Sequence, residues 1–493
     1  MKNLKNCKGR VAAGILAAVV AVTGLGVSPL LSGDANADQK ASGTVTAANK
    51  ATDTRKKTAV KTVVEKDDTN DDWLHCVGNQ IYDEEGNPVY LTGVNWFGFN
   101  CNEAVVHGLW SMDFDVKMKE IADRGFNLLR IPISSELILQ WKAGEKVKVC
   151  ITSYNQPELQ DENGKDLDSR GCFDVLLKYC KMNGIKVMMD CHSLDTNNSG
   201  HNYPVWYGVK AANLGKTLTE DDWIEAWTWF VDQYKDDDTV VAIDLKNEPH
   251  GKYSDADNLR AKWDGSDDQE NWQRAASRCG KAILDINPNL LIMVEGIEQT
   301  PRPGYTYESG TQSPNATEKE KKYYPSWWGG NLRGAKDYPV DLGKYQSQLV
   351  YSPHDYGPAV YNQSWFQKDF TEQTLLDDYW YDTWYYLQDQ NISPLLIGEW
   401  GGFMDGKENQ KWLELIAAFI EKNKINHTFW CLNPNSGDTG GLLDATFQNW
   451  DEEKYGMMKD TLWHDEKTGK FIGLDHKVPL GDNLSVSEYY AGK

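Results

Sequence analysis

The chain has 493 residues, with 51 Lys and Arg against 73 Asp and Glu, for a formal charge of −22. An acidic balance of this size argues against nucleic acid and anionic membrane as partners, because both are polyanions. It leaves a neutral polymer open, and 20 Trp and 24 Tyr supply faces on which one could stack.

In chain order, residues 1–37 place Lys2, Lys5, Lys8 and Arg10 ahead of an apolar stretch that closes on Ala35-Asn36-Ala37. This is the pattern of a secretory signal peptide with a small-residue cleavage site, and it predicts an extracellular protein. The apolar stretch runs to about 20 residues, enough to span a bilayer, so a retained N-terminal anchor is the alternative if cleavage fails. Residues 38–72 are mostly Thr, Lys, Ala and Asp with no aromatic residue, which predicts a disordered linker. Every tryptophan lies from Trp73 onward, and residues 73–493 are expected to form one globular domain with no membrane-spanning segment.

Residues 79–89 alternate apolar and polar side chains around Glu85-Gly86-Asn87, as a β-hairpin does. Short apolar runs follow at 90–96, 127–131, 186–191, 240–245, 290–294, 348–352, 395–398 and 428–431. Between most of them the apolar period becomes helical, at 114–124, 172–182, 221–234, 271–286, 375–388 and 410–422. Eight such strands alternating with helices predict an α/β fold, a parallel (β/α)8 TIM barrel with the N-terminal β-hairpin as a cap on its bottom. The stretch 296–341, rich in Gly, Pro and Tyr, reads as a long loop over the C-terminal face.

Strand four runs into Ile243-Asp244-Leu245-Lys246-Asn247-Glu248-Pro249. Side chains alternate along a strand, so Asn247 and Glu248 share a direction only if regular geometry ends there, and Pro249 has no N–H to continue a ladder. Strand seven closes in the same way, on Gly398-Glu399-Trp400-Gly401. Carboxylates among apolar and glycine neighbours are rarely buried unless paired or functional. Both lie at the C-terminal lip, where such barrels carry their chemistry. Arg130 at the end of strand two, His192 at the end of strand three, and His354 and Tyr356 after strand six point to the same lip.

Asn-Glu-Pro at 247–249, His-Asp-Tyr at 354–356 and Gly-Glu-Trp-Gly at 398–401 together resemble glycoside hydrolase family 5, the endo-β-1,4-glucanase (cellulase) group. Longer strings strengthen the likeness: Gly-Val-Asn-Trp-Phe-Gly-Phe-Asn at 93–100, Trp-Trp-Gly-Gly-Asn-Leu at 327–332, and Asn-Pro-Asn-Ser-Gly-Asp-Thr-Gly-Gly at 433–441. The resemblance implies a secreted enzyme, a monomer, that hydrolyses internal β-1,4-glucosidic bonds of cellulose and related β-glucans by retaining double displacement. It implies Glu248 as general acid and base and Glu399 as nucleophile, with carboxyl groups roughly 5 to 5.5 Å apart. Loss of hydration in a cleft is expected to help Glu248 keep its proton at the working pH. Arg130 would hold the nucleophile ionised, and His192, Asn247 and His354 would bond the sugar and the glutamates. Tyr356 would contact the nucleophile, and Trp430, followed by a cis peptide bond, would floor the subsite before the cleavage point. Trp96, Trp327 and Trp328 would be further platforms.

A β-mannanase or mixed-linkage glucanase is the alternative on the same barrel, since one carboxylate pair serves several β-1,4-glycans. A non-catalytic carbohydrate-binding protein would need the aromatic residues but not two glutamates. A phosphate-handling barrel would need basic neighbours beside Gly401-Gly402 and Gly440-Gly441, and neither pair has one. No cofactor is expected, and without a Cys-x-x-Cys spacing no metal site either. Cys172 and Cys180 lie about 12 Å apart at helical rise and cannot bridge, so most cysteines are expected to be free and buried.

Overall fold

The eight apolar runs form eight parallel strands in the computed structural model, which describes residues 72–151, 156–198, 202–253, 259–313 and 315–493. They are Thr92–Asn95, Leu128–Ser134, Lys186–Ser193, Val240–Asp244, Leu291–Val294, Leu349–Tyr351, Leu396–Trp400 and Asn426–Phe429. Each pairs with its neighbour in sequence, and the eighth returns to the first. Bridges between Tyr351 and Leu395 and between His354 and Glu399 close the ring at strands six and seven. Strands two, three and seven run past the expected ends, so His192 and Glu399 belong to the strands themselves.

Period-two alternation sorts the strand residues. Leu128, Met188, Ala242, Leu291, Met293, Val350 and Leu396 fill the lower barrel, while Leu129, Ile131, Val187, Met189, Cys191 and Ile243 pack outward against the helices. The helix Glu220–Tyr234 shows how the outer layer forms. Thr219 and Asp222 close a reciprocal capping box at its start, and Glu220, Asp221 and Asp222 sit where the helix dipole favours negative charge. Its buried face carries Trp223, Ala226, Trp227 and Phe230. The indole N–H groups of Trp223 and Trp227 both donate to the carbonyl of Leu245, at 2.9 and 3.0 Å, and Trp272 Nε1 donates to Glu295 O at 2.8 Å. Outer-layer tryptophans thus fasten the ends of strands four and five.

The cap is larger than a hairpin. Leu74–Val77, Gln80–Asp83 and Pro88–Val89 form a three-stranded antiparallel sheet, and Leu74, Ile81 and Val89 seal the lower barrel together with Trp463, Ile472, Leu474 and Val486 from the C-terminal segment. Asp72, assigned above to the linker, is instead fully buried against Lys186 and His476, so the folded part includes it. An isolated ammonium is costly to bury, and Lys186 is tolerated because Asp72, Asp238 and Asp475 surround it. The expected signal peptide, and the linker up to residue 71, lie outside the described residues.

The helices Ser135–Lys142, Glu452–Met458 and Val486–Ala491 were not expected. The stretch 372–389 is helical but wound as a π-helix over Leu376–Tyr385. The long loop at 296–341 carries a small hairpin, Gln299–Pro301 with Tyr323–Pro325. All cysteines among the described residues are free thiols, buried except for the half-buried Cys76. No helix among the described residues is long and apolar enough to cross a membrane.

Candidate active site

Arg130 is the hub of the barrel mouth. The alternation that sends Leu128 down into the barrel turns Arg130 inward one level higher, where it is fully buried. Its Nη1 donates to Glu399 Oε1 at 2.6 Å and to Asn95 Oδ1 at 2.9 Å, and its Nε donates to Asp244 Oδ2 at 2.9 Å. Its Nη2 donates to Asn247 Oδ1 at 3.1 Å and to Glu295 Oε1 at 3.2 Å, with Asp190 Oδ1 also at 3.2 Å. A planar guanidinium with five N–H donors suits this crowd of acceptors, where a single ammonium would not.

Glu248 shows where strand geometry ends. Its φ is +50°, in the left-handed region, which costs a non-glycine residue roughly 1 to 2 kcal/mol. That turn lets consecutive residues point the same way: Asn247 reaches Arg130 while Glu248 Oε1 lies 3.1 Å from His354 Nδ1. The turn is held by Glu248 N–H donating to Glu295 Oε2 at 2.6 Å and Asn247 N–H donating to Cys191 O at 2.9 Å. Gly329 packs so close beneath it that a Cβ there would stand 2.2 Å from Glu295 Oε2 and 3.2 Å from Glu248 Cα. The Trp-Trp-Gly-Gly string therefore requires its first glycine.

Glu399 sits across from Glu248, and an oxygen of each lies within 4.8 Å of the other. Tyr356 Oη donates to Glu399 Oε2 at 2.6 Å, and His354 Nδ1 is 3.6 Å from the same oxygen. Gly398 makes room for this histidine, since a Cβ there would be 2.9 Å from His354 Nε2. Burial alone would raise the Glu399 pKa, but the charges of His354, Arg130 and His192 outweigh it and hold the carboxyl below its ordinary value. Burial works against a charged His354, yet Glu295 and Glu399 push its pKa well above normal. Burial dominates for the other carboxyls: Asp190 is pushed up to about 7, Asp244 to about 6, and Glu295 well above its usual range. Glu399 is thus kept ionised among acids that lean toward the neutral form. Glu248, His354 and Glu399 are close enough to share a metal ion, as are Asp244, Glu295 and His354. Arg130 and a protonated His354 in the same space disfavour a further cation there.

Asp190 makes a signed prediction for stability. Between its ordinary value of 3.8 and about 7, the folded state holds a proton that the unfolded chain has released. Stability should therefore fall as pH rises through that window, by up to roughly 1.4 kcal/mol per unit from this group. Urea melts across the window should show the decline and Asp190→Asn should flatten it; an unchanged slope in the variant would assign the decline to other groups.

Of the aromatic residues, Trp430 lies at the cleft, half-buried, with its ring nearly parallel to His192 at 5.3 Å and to Phe97 at 5.5 Å. Its Nε1 donates to Ser436 Oγ at 3.1 Å, and its peptide bond to Cys431 is cis, as expected. His192 Nδ1 is 2.7 Å from Asp190 Oδ2 and 4.0 Å from Glu399 Oε1. Trp328 is half-buried beside the Glu248 turn, stacked on His250 at 3.8 Å. Trp96 and Trp327 are not where a platform is needed. Asn95 faces inward to Arg130, so alternation sends Trp96 outward, where it is fully buried against Phe114 and donates to His107 O at 2.9 Å. Trp327 is buried among Tyr356, Trp365 and Phe366. Sequence reasoning overlooked Phe97, Asp190, Asp244 and Glu295. The signal for the three acids was present: strands three, four and five each carry an acid near the C-terminal end of an apolar run.

Comparison with known proteins gives a consistent picture. The family described as Cellulase (glycosyl hydrolase family 5) matches residues 82–436. Endoglucanase G of Acetivibrio thermocellus is 55% identical over 450 residues, covering 88% of this chain and 78% of that protein. Endoglucanase B of the same organism is 43% identical over 449 residues, covering 85% and 77%. The solved structure of a hyperthermophilic endocellulase from the archaeon Pyrococcus horikoshii superposes with a TM-score of 0.65 at 32% identity, covering 79% of this chain and 98% of that one.

Proposed function

The chain belongs to the cellulase family, glycoside hydrolase family 5, and from that premise we propose that it is an endo-β-1,4-glucanase that cleaves internal bonds of cellulose and related β-glucans with retention of configuration. The carrying observation is the separation of Glu248 and Glu399, whose oxygens approach within 4.8 Å. Retaining enzymes need carboxyl groups about 5 to 5.5 Å apart, whereas inverting ones need about 6.5 to 9.5 Å to admit a water between carboxylate and sugar.

In this mechanism Glu399 attacks the anomeric carbon while Glu248 gives its proton to the departing glycosidic oxygen, leaving a glycosyl ester on Glu399. Glu248, now a carboxylate, takes a proton from water as that water displaces the ester, which restores both residues. Arg130 and Tyr356 hold Glu399 through one oxygen each, and this fixes its direction of attack. Trp430 offers the exposed part of its ring to the sugar before the scissile bond. The basic and apolar N-terminal sequence with its Ala-x-Ala site supports secretion.

Side-by-side assays on carboxymethylcellulose, lichenan, xyloglucan and mannan test the substrate. Carboxymethylcellulose is expected to lose viscosity faster than reducing ends appear, with mannan the poorest substrate of the four. A preference for mannan would replace the glucanase assignment with a mannanase on the same barrel.

A further inference from the structure

Beside the Trp430 and Phe97 stack, the loop after strand one folds back on itself and buries Cys101, Glu103 and His107, which are only 4%, 2% and 3% exposed. The mechanism uses none of them. Three backbone hydrogen bonds shape the loop: Cys101 N–H to Gly98 O, Ala104 N–H to Cys101 O and His107 N–H to Phe97 O. One donor atom from each side chain, a thiol sulfur, a carboxylate oxygen and an imidazole nitrogen, lies within 4.8 Å of the others. His107 Nε2 is 3.2 Å from Glu103 Oε2, while its Nδ1 is 2.9 Å from Asn435 Nδ2 on the loop after Trp430. We propose that Cys101, Glu103 and His107 form a binding site for one divalent transition-metal ion of the zinc class.

The donor set selects the ion. Thiolate and imidazole favour zinc and its neighbours, whereas calcium and magnesium require oxygen ligands. With bonds of about 2.3 Å to sulfur and about 2.0 to 2.2 Å to nitrogen and oxygen, a tetrahedral ion sets its donors roughly 3.3 to 3.6 Å apart. The His107 to Glu103 contact already has about the length of one such edge, and the Cys101 sulfur, within 4.8 Å of both, has to move in to complete the others. Asn433 Nδ2 donates to Asn435 Oδ1 at 2.9 Å, so turning both amides by half a rotation would keep that bond with its direction reversed and place the Asn435 oxygen on His107 Nδ1–H, which leaves the Nε2 lone pair for the ion. Water can complete the fourth position. A thiol binds such an ion as the thiolate, so the ion must displace the Cys101 proton as it enters. His107 meets the Phe97 ring edge-on at 5.1 Å, and Phe97 stacks on Trp430, so an ion here would brace the Trp430 ring from behind.

The test is cobalt titration of the chelator-treated full-length protein, read in the near ultraviolet where a thiolate bound to Co2+ gives a charge-transfer band. The band should saturate at one equivalent and be abolished by one equivalent of Zn2+. Cys101→Ser should remove it, and His107→Gln should shift its midpoint by at least about tenfold. Near-ultraviolet circular dichroism of each variant shows whether it is folded; should Cys101→Ser fail, His107→Gln carries the test. Absence of the band at one equivalent would overturn the proposal, and so would a band that survives Cys101→Ser or whose midpoint His107→Gln leaves unmoved. Because the band reports thiolate ligation and not hydrolysis, it is independent of the glucanase assignment.

Discussion

Glu399→Gln is expected to lower hydrolysis of carboxymethylcellulose by on the order of 10⁵-fold, because an amide forms no glycosyl ester and the covalent route is lost. The variant should still fold, since the glutamine oxygen can accept from Arg130 Nη1 in place of Oε1 while its NH2 group, in place of Oε2, donates to a Tyr356 hydroxyl turned to accept. Glu248→Gln removes a proton donor instead and should cost about 10² to 10⁴-fold on a polysaccharide, whose leaving group needs protonation. Alanine variants separate the roles. With an aryl cellobioside that needs no acid, azide should rescue Glu248→Ala through the glycosyl ester and give a β-glycosyl azide. In Glu399→Ala azide should attack directly from the vacated face and give the α product. The reverse pattern would exchange the two roles.

Arg130 should be as sensitive in folding as Glu399 is in catalysis. Its guanidinium lies among Asp190, Asp244, Glu295 and Glu399, all buried. Arg130→Met removes the cation and strands the carboxyls, a change that typically costs about 3 to 5 kcal/mol against a total stability of about 5 to 15 kcal/mol. It should also raise the Glu399 pKa, since Arg130 is among the charges that hold it down despite burial. Any residual activity should then show its acid limb at higher pH, the direction expected when the nucleophile must lose a proton it previously lacked. Arg130→Lys restores the charge but not the fork of donors, so it should recover part of the stability and little of the activity. Urea denaturation with pH–rate profiles would check both effects; a Lys variant equal to the native protein in both would show that charge alone matters.

Much of the fold was legible because parallel barrel strands are buried on both sides and appear as short apolar runs, while helices such as Glu220–Tyr234 announce themselves by caps and period. The ends were less legible. Asp72 looks like linker by composition, and only the distant Lys186 and His476 make it part of the fold. The two glutamates stood out because each ends an apolar run, and Asp190, Asp244 and Glu295 carried the same mark. They were passed over because nothing local tells that one arginine gathers them. Trp96 and Phe97 were separable in principle by counting alternation from Asn95; Trp327 and Trp328 were not, since their directions depend on the fold of a long loop. The Cys101, Glu103 and His107 grouping arises in such a loop too, at a spacing that matches no familiar ligand pattern.

The most direct measurement is inactivation by a 2-deoxy-2-fluoro-β-cellobioside with a good leaving group, which lets the glycosyl ester form but slows its hydrolysis. The expected result is time-dependent loss of activity, a mass gain of one fluorocellobiosyl unit per chain, and the label on the peptide that carries Glu399. A label on Glu248, or release of α-configured sugar from the native enzyme with no adduct, would contradict retention through Glu399.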